Sequence, residues 1–440
     1  MSKTPVYDFV KKYRAEKARF HMPAHKGKGK IEIDDITEID GADVLYRPSG
    51  IIAESERIAS GIFGSGATFY SVEGSSLAIR AAVYLACGYA KKQGRAPVIA
   101  AARNVHSSFI SACALCGADP VWLYGSGKSL LSYTFDKTEL LSVLTREKPV
   151  AVYVTSPDYL GNRANIAELA EACHANDALL IVDNAHGAYL KFVGENAHPL
   201  DAGADICVES AHKTLPCLTG TAYLHLGKSA PDFLVKNANF ALNLFASTSP
   251  SYLLIASLDR FNGVADDYAA KVKLTAERVG KLKAKLISRG YSLVGNEPLK
   301  ITISTKSYGY LGFDIAGILA DNRIIAEFYD KDFITFMFSP SNKRGEINRL
   351  EKTLLSIMRK TLVTEKPPVA ARCERVLSVR EATFADFEEV NVENAEGKVL
   401  AGLTLFCPPA VPVAVCGERL NSDAINALRY YDISTVRVVK

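Results

Sequence analysis

Short apolar runs that stop abruptly at polar residues dominate the first half of the chain. Four of them, Val98–Ala102, Val150–Val154, Ala178–Val182 and Ala204–Val208, are nearly continuous rather than alternating, the pattern of strands buried on both faces. Helical spacing fills the intervals. Leu77, Ala81, Tyr84, Leu85 and Gly88 share one face over Ser76–Ala90, and Ile166, Leu169, Ala170 and Cys173 share one over Asn165–Asn176. Such alternation, from about residue 60 onward, predicts an α/β architecture with a parallel central sheet.

Beyond Pro250 the pattern changes to a long charged helix over Leu253–Arg289, with a bend expected near Gly263. Strand-like pieces return at Leu299–Ser304 and Phe333–Phe338, followed by a helical stretch at Lys343–Leu362 and a Lys-Pro-Pro turn at 366–368. The expected organisation is an N-terminal arm (1–45), a large domain (46–255), a linking helix (256–289) and a smaller C-terminal α+β domain (290–440). A length of 440 residues suits two domains.

Composition narrows the function classes. With 52 basic and 48 acidic residues, the net charge of +4 gives no reason to expect a nucleic acid or a membrane surface as partner. The Lys26–Lys30 run reads as a solvated loop. No 18-residue apolar stretch and no secretory h-region is present. Nine cysteines at irregular spacing suit free thiols in a reducing compartment, the cytoplasm. No metal site is expected: His21 and His25 flank Pro23 without a cysteine or carboxylate cluster, and Cys113/Cys116 is a lone pair in an apolar stretch. Gly125-Ser-Gly-Lys-Ser129 ends like a P-loop, but Trp122 stands where the leading glycine is required.

The polar ends of the strands carry the chemistry. They read Arg103-Asn-Val-His106, Thr155-Ser-Pro-Asp158, Asp183-Asn-Ala-His186 and Glu209-Ser-Ala-His-Lys213. In a parallel sheet the carboxyl ends of the strands form one rim, where ligands bind. Gly74-Ser-Ser76, opening the helix that follows, offers hydroxyls beside the amides of a helix start, a cradle for phosphate. A lysine amine, a carboxylate and a phosphate cradle are what pyridoxal phosphate requires: an imine partner, an anion at the ring nitrogen and an anion site. Lys213, Asp183 and Ser75/Ser76 meet those demands.

Six strings, HMPAHKGKG (21–29), SVEGSSLAIRAA (71–82), RNVHSS (103–108), VDNAHGAYLKF (182–192), ESAHKTLPCLTGTAYLH (209–225) and STSPSYLLIASLD (247–259), resemble in order and spacing the bacterial ornithine/lysine/arginine decarboxylases. The resemblance implies a fold type I large domain of the aspartate aminotransferase kind, in a short form without the N-terminal wing domain. It further implies Lys213 as the Schiff-base lysine and Asp183 at the pyridine nitrogen. His106 and Ala185 would lie on the two ring faces, and His186 near the ring's 3-hydroxyl. Gly74, Ser75, Ser76, Ser210 and His212 would lie at or near the phosphate. The segment holding Thr248 would reach the partner subunit's phosphate, giving a homodimer or an assembly built on one. Lys213 or His212 would return the proton to Cα.

Several positions depart from the family pattern: Ala24, Glu73, Asn184 and Gly220 stand where Gly, Asn, Glu and Gln are usual. Phe406–Pro412 and Cys416-Gly-Glu418 approximate a C-terminal motif that shapes the pocket for the substrate's distal cation, with Glu418 retained as its candidate ligand. The residues alone also suit an aminotransferase, a β-elimination lyase or a noncatalytic homologue; the resemblance favours decarboxylation of lysine, ornithine or arginine.

Overall fold

The apolar runs of the sequence are strands, displaced by at most two residues from their expected limits. The structure is a computed structural model that describes residues 3–14, 18–194, 196–402, 405–406 and 410–440. Seven strands belong to the α/β portion: β1 (Ala67–Ser71), β2 (Val98–Ala102), β3 (Asp119–Leu123), β4 (Ala151–Thr155), β5 (Leu179–Asp183), β6 (Ile206–Glu209) and β7 (Ala222–Leu226). The chain divides into two compact units, one of Met1–Ala100, Val143–Val154 and Asn165–Ala269, the other of Ala101–Ser142, Thr155–Ala164 and Ala270–Lys440.

In the first unit the strand order is β1-β7-β6-β5-β4-β2, in a mostly parallel sheet. β5 and β6 pair parallel, with Asp183 opposite Val208, whereas β7 runs antiparallel to both β6 and β1. Every residue of β5, β6 and β7 is buried, which accounts for their lack of polar alternation. Helix Gly74–Lys92 is two residues longer at each end than its apolar periodicity predicts. Helix Ile166–His174 starts after Asn165, whose side chain accepts from the Glu168 N–H as an N-cap.

The segment expected as an arm opens with helix Pro5–Tyr13, which buries Val6 and Val10. Its Tyr7 N–H donates to Asp259 Oδ2 at 2.7 Å. Helix Tyr252–Arg289 is one continuous helix through Gly263. A Cβ at residue 263 would come within 2.8 Å of Thr4 Cγ2, so the glycine admits the N-terminal segment. His21 and His25 have separate partners: Nε2 of His21 meets the Tyr13 hydroxyl at 2.7 Å, and Nε2 of His25 meets Asp35 at 3.1 Å.

The second unit contains a four-stranded antiparallel sheet. Its strands are β8 (Leu293–Val294), β9 (Lys300–Ser304), β10 (Phe328–Tyr329) and β11 (Phe333–Met337), in the order β10-β11-β9-β8. The helix expected to reach Leu362 ends at Ser356. Beyond it the backbone donors turn to another segment, Lys360 N–H to the Tyr308 carbonyl and Val363 N–H to that of Lys306. A C-terminal layer packs Leu400, Val413, Ala424, Leu428 and Val436 into its own core. Cys407, Pro408 and Pro409 of the expected C-terminal motif lie outside the described residues. Among the described residues no helix is long and apolar enough to cross a membrane.

Candidate active site

Strand register brings three motifs to one edge of the first unit. Asp183 lies opposite Val208, Glu209 opposite Tyr223, and Ala222 opposite Ser71. The ends of β1, β5 and β6 therefore share that edge, and each leads into one motif: Gly74–Ser76, Asp183–His186 and Ser210–Lys213.

At the end of β1 the chain turns into helix Gly74–Lys92 through Gly74, whose φ of +73° disfavours any L side chain. Space is not the constraint, since a Cβ there would meet nothing within 4 Å. The Gly74 N–H donates to the Gly220 carbonyl at 2.7 Å, joining this turn to the start of β7. The Glu73 side chain makes no cap hydrogen bond to this helix start, a kind of site that favours anions. Glu73 is the N-cap residue, and its Oε1 accepts from the Ser247 N–H at 2.7 Å. The departure at 73 thus anchors the Ser247–Pro250 segment, in which Thr248 is exposed.

At the end of β6 Ser210 is extended and Ala211–Thr214 form one helical turn. Ser210 Oγ donates to Ser75 Oγ at 2.8 Å, tying this turn to the Gly74 helix. Lys213 Nζ lies 3.1 Å from Nε2 of the buried His186. His212 Nδ1 lies 2.9 Å from the Thr221 carbonyl; a carbonyl only accepts, so Nδ1 carries the proton. The Tyr268 hydroxyl donates to the Thr214 carbonyl at 2.6 Å and holds the far end of the turn.

Asp183, 2% exposed, ends β5. Its Oδ2 accepts from the Tyr153 hydroxyl at 3.0 Å and its Oδ1 from the Ala185 N–H at 3.1 Å. A buried carboxylate held by two neutral donors complements a cation such as a protonated ring nitrogen. With an uncapped helix start beside three serine hydroxyls and a lysine amine in contact with an imidazole, the donor set fits pyridoxal phosphate.

Two expected site residues belong to the second unit. His106 caps helix Ser107–Cys116: its Nδ1 accepts from the Ser108 N–H at 3.1 Å, so Nε2 carries the ring proton. Glu418 is buried, and its Oε2 accepts from Arg103 at 3.2 Å and from the Val415 N–H at 2.8 Å. Its Oε1 has no hydrogen-bond partner among the described residues.

The sequence reading missed Tyr153 and the buried group around Glu209. For Tyr153 a signal existed, a phenol placed inside the otherwise aliphatic run Ala151-Val-Tyr-Val154. For Glu209 the signal was a carboxylate closing a buried run, read only as the start of the lysine motif.

The model of the Orn/Lys/Arg decarboxylase major domain matches residues 4–284, and that of the family's C-terminal domain matches 361–436. An arginine decarboxylase of Bacillus subtilis (strain 168) is 28% identical over 96% of this chain and 92% of its own length. One of Halalkalibacterium halodurans is 29% identical over 97% of this chain and 93% of its own length. In fold, the constitutive lysine decarboxylase of E. coli superposes with a TM-score of 0.80 at 17% identity, covering 99% of this chain and 82% of that one.

Proposed function

The chain belongs to the Orn/Lys/Arg decarboxylase family, pyridoxal-phosphate enzymes, and on that premise we propose that it decarboxylates a basic amino acid, with arginine the first candidate. The observation that carries the site assignment is the contact of Lys213 Nζ with His186, on the sheet edge shared with Asp183 and the Gly74 turn. Arginine is preferred because relatives named arginine decarboxylase match nearly the whole of both chains.

Pyridoxal phosphate, when bound, supplies the electron sink that takes up the bonding pair as carbon dioxide leaves Cα. Lys213 is assigned as its covalent anchor, with His186 exchanging a proton with Nζ. Asp183 holds a proton at the ring nitrogen, and its burial strengthens that electrostatic hold. Ser75, Ser76, Ser210 and the amides following Gly74 bind the phosphate, with His212 beside them. His106 and Ala185 are assigned to the two ring faces. Proton return to Cα falls to the Lys213 amine or to His212, whose Nε2 can take a second proton because Nδ1 is committed to Thr221. Glu418 is assigned to the substrate's distal cation through Oε1. Thr248 is assigned to the phosphate of a partner subunit, in a cytoplasmic homodimer.

The test supplies pyridoxal phosphate and then arginine, lysine and ornithine in turn, recording the visible spectrum and carbon dioxide. The expected result is carbon dioxide from arginine, with both the visible band and turnover lost in Lys213→Ala. A cofactor band with no carbon dioxide from any of the three would overturn the substrate class. A band surviving in Lys213→Ala would overturn the anchor.

A further inference from the structure

Directly behind the proposed cofactor edge lies a carboxylate that the reaction does not use. Glu209 is fully buried, and so are His198, His225, Cys207 and Asn184 around it. Its Oε1 accepts from His198 Nε2 at 2.5 Å and from the Asn184 amide at 2.6 Å, with the Cys207 thiol at 3.7 Å. Its Oε2 accepts from His225 Nε2 at 3.3 Å.

An outer partner fixes the proton of one imidazole and permits the same arrangement in the other. His198 Nδ1 accepts from the Leu200 N–H, so its Nε2 carries a proton toward Glu209. His225 Nδ1 lies 2.8 Å from the Thr68 hydroxyl, which is in turn 2.7 Å from that of Ser65. Both imidazoles can therefore be neutral and still donate inward, and Glu209 collects donors as a buried anion must. Burial pushes its carboxyl up, but the two histidines outweigh that and hold it well below the ordinary carboxylate range.

We infer that Glu209 is a positioning residue that locks the ends of β5 and β6, and so sets where Asp183 and the Ser210–Lys213 turn meet the cofactor. Glu209 directly precedes Ser210, and its partner Asn184 directly follows Asp183. The backbone repeats the link, the Asn184 N–H donating to the Val208 carbonyl at 2.8 Å. The amide at 184 is part of the device. A glutamate there, as the family resemblance leads one to expect, would set two carboxylates within hydrogen-bond reach of each other; asparagine supplies a donor instead. The cluster does not require a metal ion, because Oε1 of Glu209 already receives N–H groups from His198 and Asn184, and Oε2 has His225 Nε2 within hydrogen-bond reach.

This inference rests on the proposed cofactor reading, and the test separates the two. Full-length Glu209→Gln and Asn184→Ala are titrated with pyridoxal phosphate, following the visible band, its pH midpoint and the far-UV spectrum. Glu209→Gln removes the negative charge and leaves one acceptor oxygen where two now face His198, Asn184 and His225, so cofactor affinity is expected to fall about tenfold or more and the midpoint to move. Asn184→Ala, which removes one donor without creating a clash, is expected to lose several-fold and to report should the first variant fail to fold. Wild-type affinity and midpoint in a folded Glu209→Gln, or in Asn184→Ala if that variant alone folds, would overturn the inference. One equivalent of zinc per wild-type chain, absent from Glu209→Gln, would overturn it in favour of a metal site. Absence of a band in the wild-type protein, or its survival in Lys213→Ala, would instead overturn the reading beneath it.

Discussion

The Tyr153 hydroxyl donates to Asp183 Oδ2 at 3.0 Å, from the strand next to the one that Asp183 ends. Both residues are buried, Tyr153 completely, so the hydrogen bond is made where an unpaired oxygen has no water to turn to.

Tyr153→Phe therefore removes one of the two neutral donors that aim the carboxylate, while keeping the ring and its packing. A hydrogen bond to a charged group contributes about 1.5–3 kcal/mol, so cofactor affinity should fall about tenfold or more. A titration of pyridoxal phosphate into the apo-variant checks this. Unchanged affinity would mean that the Ala185 N–H alone orients Asp183.

What could be read in the sequence followed from periodicity and from the residues at strand ends. β2 was placed to the residue, and β5 was anticipated one residue early because Asp183 was counted as rim rather than strand. β1 and β7 were not read as strands: their runs Ala67-Thr-Phe-Tyr-Ser71 and Ala222-Tyr-Leu-His-Leu226 carry polar groups, which are satisfied only across the sheet, as Thr68 is by His225. The partners of Glu209 were illegible for a similar reason: Asn184 and His225 reach it from the neighbouring strands β5 and β7, and His198 from the N-cap of the short helical turn Pro199–Ala202 before β6. The early end of the helix at Ser356 likewise depends on acceptors at Lys306 and Tyr308, some fifty residues away.

Gly74→Ala tests the turn that opens the proposed phosphate cradle. An alanine finds room there, but at a φ of +73° an L residue is destabilised by roughly 1–2 kcal/mol. The variant should relax the turn and weaken the Gly74–Gly220 link. The expected outcome is a modestly lower melting temperature and a larger fractional loss of affinity for pyridoxal phosphate, measured on the same preparation. Loss of stability alone would make Gly74 a folding residue and nothing more.

Arg103 and Glu418 invite a paired test within the second unit. Arg103 also donates to the Pro412 and Val413 carbonyls, at 3.3 Å each, so it clamps the segment that leads to Glu418. Arg103→Ala leaves a buried carboxylate without its cation and should destabilise by about 3–5 kcal/mol in a denaturant titration. Glu418→Gln keeps the shape and the Val415 hydrogen bond, and should melt closer to wild type. If Oε1 meets the substrate's distal cation, this variant raises KM for arginine about tenfold, the loss expected for one charge-assisted hydrogen bond. An unaltered KM would restrict Glu418 to its partnership with Arg103.

Glu56 makes the clearest prediction about pH. It is 6% exposed on helix Ile51–Phe63, its Oε1 accepts from the Tyr70 N–H at 2.9 Å, and burial pushes its carboxyl up to about 8. A folded-state value above the unfolded one means that the folded chain keeps a proton which the unfolded chain has released. The stabilisation is complete below the ordinary carboxylate range near 4.5 and is lost as pH rises through about 8. Glu56→Gln stays neutral throughout and escapes that loss. The variant should match wild type at pH 4 and become progressively more stable relative to it up to about pH 8, by on the order of a few kcal/mol. Asp158, Asp259 and Asp330, each pushed up to about 6 by burial, titrate in both proteins and cancel in the difference. Melting both proteins across this range decides the matter: a difference independent of pH would mean that Glu56 is ionised in the folded chain.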